Sequence, residues 1–170
     1  MQLKDKTAII TGGGSGFGAS MADLFAKNGA KVIVADIHID NAKKVAEHIG
    51  GYPVEVDVSN AGSVEKMKEK VFNEYQKVDI LVNNAGTTHL PAPMETIEED
   101  EFDRVFNVNC KSVYLTAKHF VPHFKENKSG VILNIASTAG ISPRPNLNWY
   151  NSSKGWMILA SKTMAVELAP

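Results

Sequence analysis

Thr11-Gly12-Gly13-Gly14-Ser15-Gly16-Phe17-Gly18 is the stretch on which the fold turns. It follows the apolar run Ala8-Ile9-Ile10 and leads into a helical pattern with Met21, Leu24 and Phe25 on one face. A strand that ends in glycines and passes at once into a helix makes a phosphate site. Glycine permits positive φ and close approach to a ligand, and the first N–H groups of the helix face the anion. Such a loop binds through its backbone, which makes Gly12, Ser15, Gly16, Phe17 and Gly18 candidate cofactor-binding residues. A glycine-rich turn also occurs as a plain link between strand and helix, so the loop alone leaves both readings open.

Strands and helices alternate on either side of it. The first strand is expected over Thr7 to Thr11 and its helix from Gly16 to Asn28, with Gly29 as the stop. Lys31 to Asp36 reads as the second strand and Asn41 to Ile49 as a helix that ends at Gly50-Gly51. Val54 to Asp57 reads as a short third strand. Ser59 or Asn60 caps a helix that carries Val64, Met67, Val71 and Phe72 inward. Ile80 to Val82 is the fourth strand, followed by a loop with Pro91 and Pro93. Glu98 to Lys125 reads as one long helix that Pro122 bends or ends. Val131 to Ile135 is the fifth strand, and the last helix runs from Asn148 to Leu168. Short apolar strands joined by helical crossovers imply parallel pairing and a sheet covered on both faces. The expected fold is α/β, one domain over residues 1–170, with a doubly wound parallel sheet in the order 3-2-1-4-5.

In such sheets ligands bind outside the carboxyl ends of the strands. Gly12 follows strand one, Asp36 closes strand two, Asp57 with Val58 closes strand three, Asn83-Asn84-Ala85-Gly86 follows strand four and Ser137 follows strand five. This recurrence favours the phosphate reading of the glycine loop. Asp36 adds information about the ligand, because a carboxylate about twenty residues past the loop accepts from a ribose 2′-hydroxyl and repels a 2′-phosphate. No Arg or Lys stands in the loop or among Ile37, His38 and Ile39, so NAD is favoured over NADP as cofactor. The alternative for Asp36 is a turn or a helix cap. For Asp57, a hydrogen bond to the adenine edge and a plain Asx turn stand equal.

Tyr150-Asn151-Ser152-Ser153-Lys154 sets a phenol and an ammonium one turn apart on a helix. A free Tyr, with a pKa of about 10, is a poor base, but a nearby cation and a helix N-terminus favour phenolate. So tuned, Tyr150 gives a proton to a carbonyl oxygen as hydride reaches the carbon, or removes it in reverse, and Ser137 holds that oxygen. Taken alone, Tyr-x-x-x-Lys is also an ordinary surface pair.

Thr11-Gly12 with Gly16 and Gly18, Asn83-Asn84-Ala85-Gly86, Asn109, Ser137 and Tyr150 with Lys154 together resemble the short-chain dehydrogenase/reductase family over essentially the whole chain. The resemblance implies a Rossmann-like fold with Tyr150 as catalytic acid/base. It implies that Lys154 lowers the Tyr150 pKa and binds the nicotinamide ribose, that Ser137 orients the substrate carbonyl and that Asn109 holds a proton-relay water. From sequence alone Asn109 reads equally as an amide that satisfies backbone groups. Asn83, Ala85 and Gly86 are implied to shape the cofactor cleft. Phe17 departs from the usual Ile or Leu, a tolerated packing change. Members that reduce 3-oxoacyl carrier proteins with NADPH and members that act on polyols share these motifs. An epimerase or dehydratase, or a nucleotide-binding domain without turnover, is the alternative to an alcohol/ketone oxidoreductase.

Composition bounds the remaining classes. A net charge of −1 with no block of basic residues gives no footprint for nucleic acid or an anionic membrane. The polar start and the lack of a bilayer-length apolar run point to the cytoplasm. Cys110, the single cysteine, excludes an internal disulfide and reads as a core residue. His119 and His123 lack a third ligand nearby in sequence, so no metal is expected. Trp149, Trp156 and Leu159 read as a helix face buried in the core or in a subunit contact, while His89 and Leu90, with Ile141 to Leu147, are candidates to touch substrate. An apolar fifth strand at a sheet edge, with the chain closing at Pro170, implies a covering element from further chain or from a second subunit. The family resemblance implies a homo-oligomer, dimer or tetramer, and a small alcohol or ketone as substrate.

Overall fold

Residues 2–169 are described by a computed structural model; Met1 and Pro170, the two ends of the range read as one domain, lie outside them. β1 (Thr7–Thr11) is buried at every position and β2 (Lys31–Asp36) at every position after Lys31. These unbroken apolar runs are what a parallel strand covered on both faces requires. The sheet has the order β3-β2-β1-β4-β5, as the crossover pattern implies. In register, Ile9 of β1 faces Ile33 of β2 and Leu81 of β4 (Ile80–Asn83), both in parallel. Ala8, Ile9, Ile10, Ile33, Val34 and Leu81 are fully buried and form the centre of the core.

The crossover helices are α1 (Gly16–Lys27), α2 (Ile39–Ile49) and α3 (Ala61–Tyr75). Of the two candidate caps for α3, Asn60 takes the role, its side chain accepting from Ser63 N at 3.0 Å. β3 lies over Tyr52–Glu55, two residues earlier than Val54 to Asp57. Its pairing with β2 sets Tyr52 against Ile33 and Glu55 against Asp36, and Pro53 is tolerated because β3 is an edge strand.

The span read as one helix from Glu98 to Lys125 is divided. α4 (Glu99–Phe106) passes into a π-helical stretch over Asn107–Lys111 and then into α5 (Ser112–Asn127). Pro122 does not end α5. It forfeits a ladder bond, while Phe120, fully buried and stacked on Phe72 of α3 at 6.1 Å, and the buried Phe124 hold the turns on either side. β5 (Val131–Asn134) is the edge strand, with Val131 N donating to Asp79 O at 3.0 Å. Its apolar run is not buried on both faces. Val131 and Leu133, which alternate onto one side, are 58% and 43% exposed. α6 (Asn148–Leu168) is the last helix. The described residues form two compact units, one of residues 2–85 with 115–133 and one of residues 86–114 with 134–169.

Candidate active site

In the first unit the glycine loop leaves β1 with Gly12 at φ +63° and Gly16 at φ +52°. Ser15 precedes α1 in an extended conformation without a side-chain cap, and no acidic residue stands in the first turn. The helix start therefore presents free N–H groups to an anion. Gly18 is a contact requirement. A Cβ there would lie 2.1 Å from Gly12 O and 2.7 Å from Asn84 Nδ2. Phe17 is 83% exposed, so the larger ring displaces nothing.

Asp36 is buried and holds the loop from below. Its Oδ2 accepts from Gly14 N and its Oδ1 from His38 N, both at 2.9 Å. Each oxygen keeps a lone pair for a further donor. The carboxylate is thus both a turn former and a preformed acceptor beside the phosphate loop. Asp57 makes the Asx turn, its Oδ1 accepting from Ser59 N at 2.9 Å and Ser59 Oγ at 2.6 Å. The neighbouring Val58 is buried.

Asn84 has a part the sequence did not disclose. Its Nδ2 donates to Thr11 O at 2.9 Å and Gly12 O at 3.1 Å, while Thr11 Oγ1 accepts from Asn84 N and Ala85 N, both at 3.1 Å. These four bonds join the end of β4 to the glycine loop. Asn83 instead accepts from Thr116 Oγ1 of α5 at 2.9 Å. The free N–H groups, the glycine cradle that a Cβ would fill and the buried carboxylate fit the diphosphate and ribose of a dinucleotide.

In the second unit Asn109 lies fully buried within the π-helical stretch. Its Oδ1 accepts from Thr87 N at 2.8 Å, and its Nδ2 donates to Thr87 O at 2.8 Å and Ser153 Oγ at 2.9 Å. Both amide hydrogens are spent on protein groups, as in the backbone-satisfying reading. A π turn shifts the hydrogen-bond ladder, a departure frequent at functional sites. Ser153, also fully buried, donates onward to Tyr150 O at 2.7 Å. Arg104 grips the same loop by donating to Thr87 Oγ1 and, at 2.9 Å, to Thr88 O. Neither Ser153 nor Arg104 stands out in sequence, because their partners are remote along the chain.

Ser137 precedes a short 3₁₀ turn over Thr138–Gly140, where its Oγ accepts from Ala139 N at 3.1 Å and keeps its proton to give. Gly140 lets that turn approach α6 closely, since a Cβ there would lie 2.7 Å from the Lys154 carbonyl carbon. Tyr150 is half-buried in the first turn of α6. Lys154, one turn further on, is 5% exposed, and its Nζ donates to Ile135 O at 2.9 Å. Burial pushes the Lys154 ammonium below the ordinary lysine value, and the nearby Cys110 opposes this weakly. The buried Cys110 thiol is pushed up to about 11, which makes it an inert core group.

The Lys154 charge is therefore held against a cost. The folded pKa is depressed, so the unfavourable contribution is full below the folded value. It vanishes as pH rises through the folded value toward the ordinary 10.5. In urea unfolding, the stability of the protein relative to Lys154→Met should rise with pH across that window. A flat or falling difference would contradict the assignment.

Of the substrate-contact candidates, His89 is 1% exposed with Nδ1 donating to Leu90 O at 2.8 Å, while Leu90 is 83% exposed. Trp149 packs edge-on against Phe102 at 5.4 Å and donates to Met94 O at 3.2 Å. Trp156 and Leu159 are 41% and 66% exposed, so the three do not form a face buried in the core of the chain. Among the described residues no helix is long and apolar enough to cross a membrane.

A family model described as short chain dehydrogenase matches residues 6–170. The 4-formylbenzenesulfonate dehydrogenase of Comamonas testosteroni is 42% identical, the match taking in 99% of this chain and 69% of that protein. A 3-oxoacyl-[acyl-carrier-protein] reductase of Thermotoga maritima is 37% identical, over 99% of this chain and 70% of its own. Among solved structures, a 3-ketoacyl-(acyl-carrier-protein) reductase from Brucella melitensis complexed with NADH has a TM-score of 0.97 at 48% identity, covering 99% of this chain and 72% of that one. NAD+-bound xylitol dehydrogenase has a TM-score of 0.95 at 28% identity, covering 100% of this chain and 67% of that one.

Proposed function

Because the chain belongs to the short-chain dehydrogenase family, whose named relatives are dehydrogenases and reductases, we propose that it interconverts a secondary alcohol and a ketone with NAD(H). The observation that carries this reading is the first two turns of α6. There Tyr150 and the buried, anchored Lys154 share one helix face. A bound nicotinamide dinucleotide supplies or accepts the hydride. In reduction the Tyr150 hydroxyl passes its proton to the carbonyl oxygen and is left as phenolate; in oxidation the phenolate takes the alcohol proton. The Lys154 charge and the start of α6 both stabilise that phenolate. Ser137 Oγ, which accepts from Ala139 N, donates a hydrogen bond to the substrate oxygen, and Asn109 holds residue 87 of the adjoining loop in place. Gly12, Ser15, Gly16, Phe17 and Gly18 bind the phosphates through the backbone, and Asn83, Ala85, Gly86, Asp57 and Val58 are the further cofactor-binding residues. We place the activity in the cytoplasm and in a homo-oligomer.

NAD(H) over NADP(H) rests on Asp36, a buried carboxylate already bonded to the loop that a 2′-phosphate would crowd. The NADH- and NAD+-bound neighbours support NAD(H). Fluorescence titration should show NADH binding at least about tenfold tighter than NADPH. Asp36→Asn, which keeps an acceptor and removes the charge, should narrow that ratio. Equal or tighter binding of NADPH by the unmodified protein would reverse the assignment. It would favour the second reading, an NADPH-dependent reductase of a 3-oxoacyl carrier protein; the names of the Thermotoga and Brucella relatives suggest that substrate.

A further inference from the structure

Within the second unit, α6 starts at Leu147 without a side-chain cap, so the setting of its first turn depends on bonds made further along the helix. Trp149 and Asn151 tie that turn to main-chain oxygens of two exposed loop residues, Met94 and Arg144. Ser153 ties it to a buried side chain. Ser153 and Asn109 are both fully buried and are bonded at 2.9 Å across 44 residues of sequence. Cys110 of the same π-helical stretch donates to Ser153 O at 3.6 Å, so the side chain and the main chain of Ser153 both rest on that stretch.

The direction of each bond is determined. Thr87 N only donates, which identifies the Asn109 atom facing it as Oδ1. The other end of the amide is then Nδ2, and its two hydrogens go to Thr87 O and Ser153 Oγ. Ser153 has one hydroxyl proton, and it goes to Tyr150 O at 2.7 Å. A chain of fixed polarity thus runs from residue 87 through Asn109 and Ser153 to the main chain of Tyr150. Without the hydroxyl, one hydrogen of a fully buried amide has no acceptor and the Tyr150 carbonyl loses a donor. A buried polar group left unpaired costs more than the bond gains, so the turn resettles and carries Tyr150 with it.

A helical serine bonded to a carbonyl of the preceding turn is a recurrent local pattern that bends the helix where it occurs. The same helix supplies the comparison. Ser161 accepts from Asn134 Nδ2 at 2.9 Å and donates to Met157 O at 2.7 Å, a matching set of bonds about two turns further on. What sets Ser153 apart is its place, since the carbonyl it holds is that of Tyr150 and the next residue is Lys154. We propose that Ser153 is a positioning residue for Tyr150, its hydroxyl fixing where the phenol stands relative to Lys154 and Ser137. The consequence for hydride transfer rests on the reading of Tyr150 as the acid/base, whereas the positioning does not.

The test labels the full-length protein with 3-fluorotyrosine and follows the fluorine resonance of Tyr150, identified by its absence from Tyr150→Phe. Ser153→Ala should fold, alanine being the better helix former, and should move that resonance while those of Tyr52 and Tyr75 in the first unit stay. Asn109→Leu, which breaks the chain one bond earlier, should move it in the same direction, and the two changes together should fall short of their sum. Ser161→Ala, which breaks the matching bonds away from Tyr150, should leave it in place. If Ser153→Ala does not fold, Ser153→Cys against Ser161→Cys makes the same comparison, because a thiol is only a weak donor and acceptor. A Tyr150 resonance unmoved at Ser153, moved as far by the Ser161 change, or moved additively with Asn109→Leu would overturn the proposal. Hydride transfer, with cyclohexanol and NAD+ as probes, separates the two readings. Ser153→Ala should lower its rate at least about tenfold, as misplacement of a reacting group does, and should lower it no further in the Tyr150→Phe background. An equal loss in both backgrounds would also overturn the proposal, because Ser153 would then act elsewhere. A moved resonance together with a Tyr150→Phe variant as active as the parent keeps Ser153 as the positioning residue and sinks the acid/base reading of Tyr150. If cyclohexanol is not oxidised, the resonance alone decides.

Discussion

Tyr150→Phe should lower hydride transfer at least about a hundredfold and leave the fold and NADH binding as they were. The substitution removes one oxygen. No described residue bonds to that oxygen, while the Tyr150 main-chain carbonyl, which accepts from Ser153 Oγ, is unaffected. The ring stays in the first turn of α6 with its packing, so there is no structural route by which activity could fall. What disappears is the only proton on that side chain able to reach a substrate oxygen. Stopped-flow measurement of NADH formation, with circular dichroism and NADH titration as controls, checks this. Near-parental turnover in a folded variant would remove Tyr150 from the chemistry.

The sheet was legible because its strands obey a local rule. Thr7–Thr11 and Lys31–Asp36 are apolar runs closed by Gly12 and by Asp36, and no tertiary fact was needed to find them. β3 lies two residues earlier than Val54 to Asp57 because an edge strand admits Pro53 and because Asp57, placed at the strand end by the sequence pattern, turns the chain. The break within 98–125 was hidden for a different reason. Phe106-Asn107-Val108-Asn109-Cys110 keeps a helical period, and the π stretch coincides with Asn109 reaching residue 87 and Ser153, which no local window can show. Asn84, Ser153 and Arg104 escaped for the same reason, since each acts on a partner distant in sequence. Tyr150, Lys154, Ser137 and Asp36 are candidates by residue type and spacing. What makes each of them a proposal with content, such as burial of the ammonium or the bonds on the carboxylate, was visible only in three dimensions.

Gly18→Ala is expected to abolish dinucleotide binding and to destabilise the protein by about 3 kcal/mol, the upper part of the range for forcing a methyl into packed structure. The reason is geometric. The added carbon would stand 2.1 Å from Gly12 O and 2.8 Å from Gly12 C, well inside any real contact. Backbone is the obstruction, so no side chain can rotate away. Relief requires α1 to move off the loop or Gly12 to shift, and Gly12 O is itself bonded to Asn84 Nδ2 at 3.1 Å. Either movement breaks the join between β1 and β4 and withdraws the free N–H groups at the start of α1 from the phosphate position. Gly16→Ala is the internal control. Gly16 has positive φ but nothing within 4 Å of a Cβ, so its variant should incur only backbone strain of about 1 kcal/mol. If urea unfolding and NADH titration find Gly18→Ala no worse than Gly16→Ala, the close approach of helix and loop is not what the first unit uses to hold a dinucleotide.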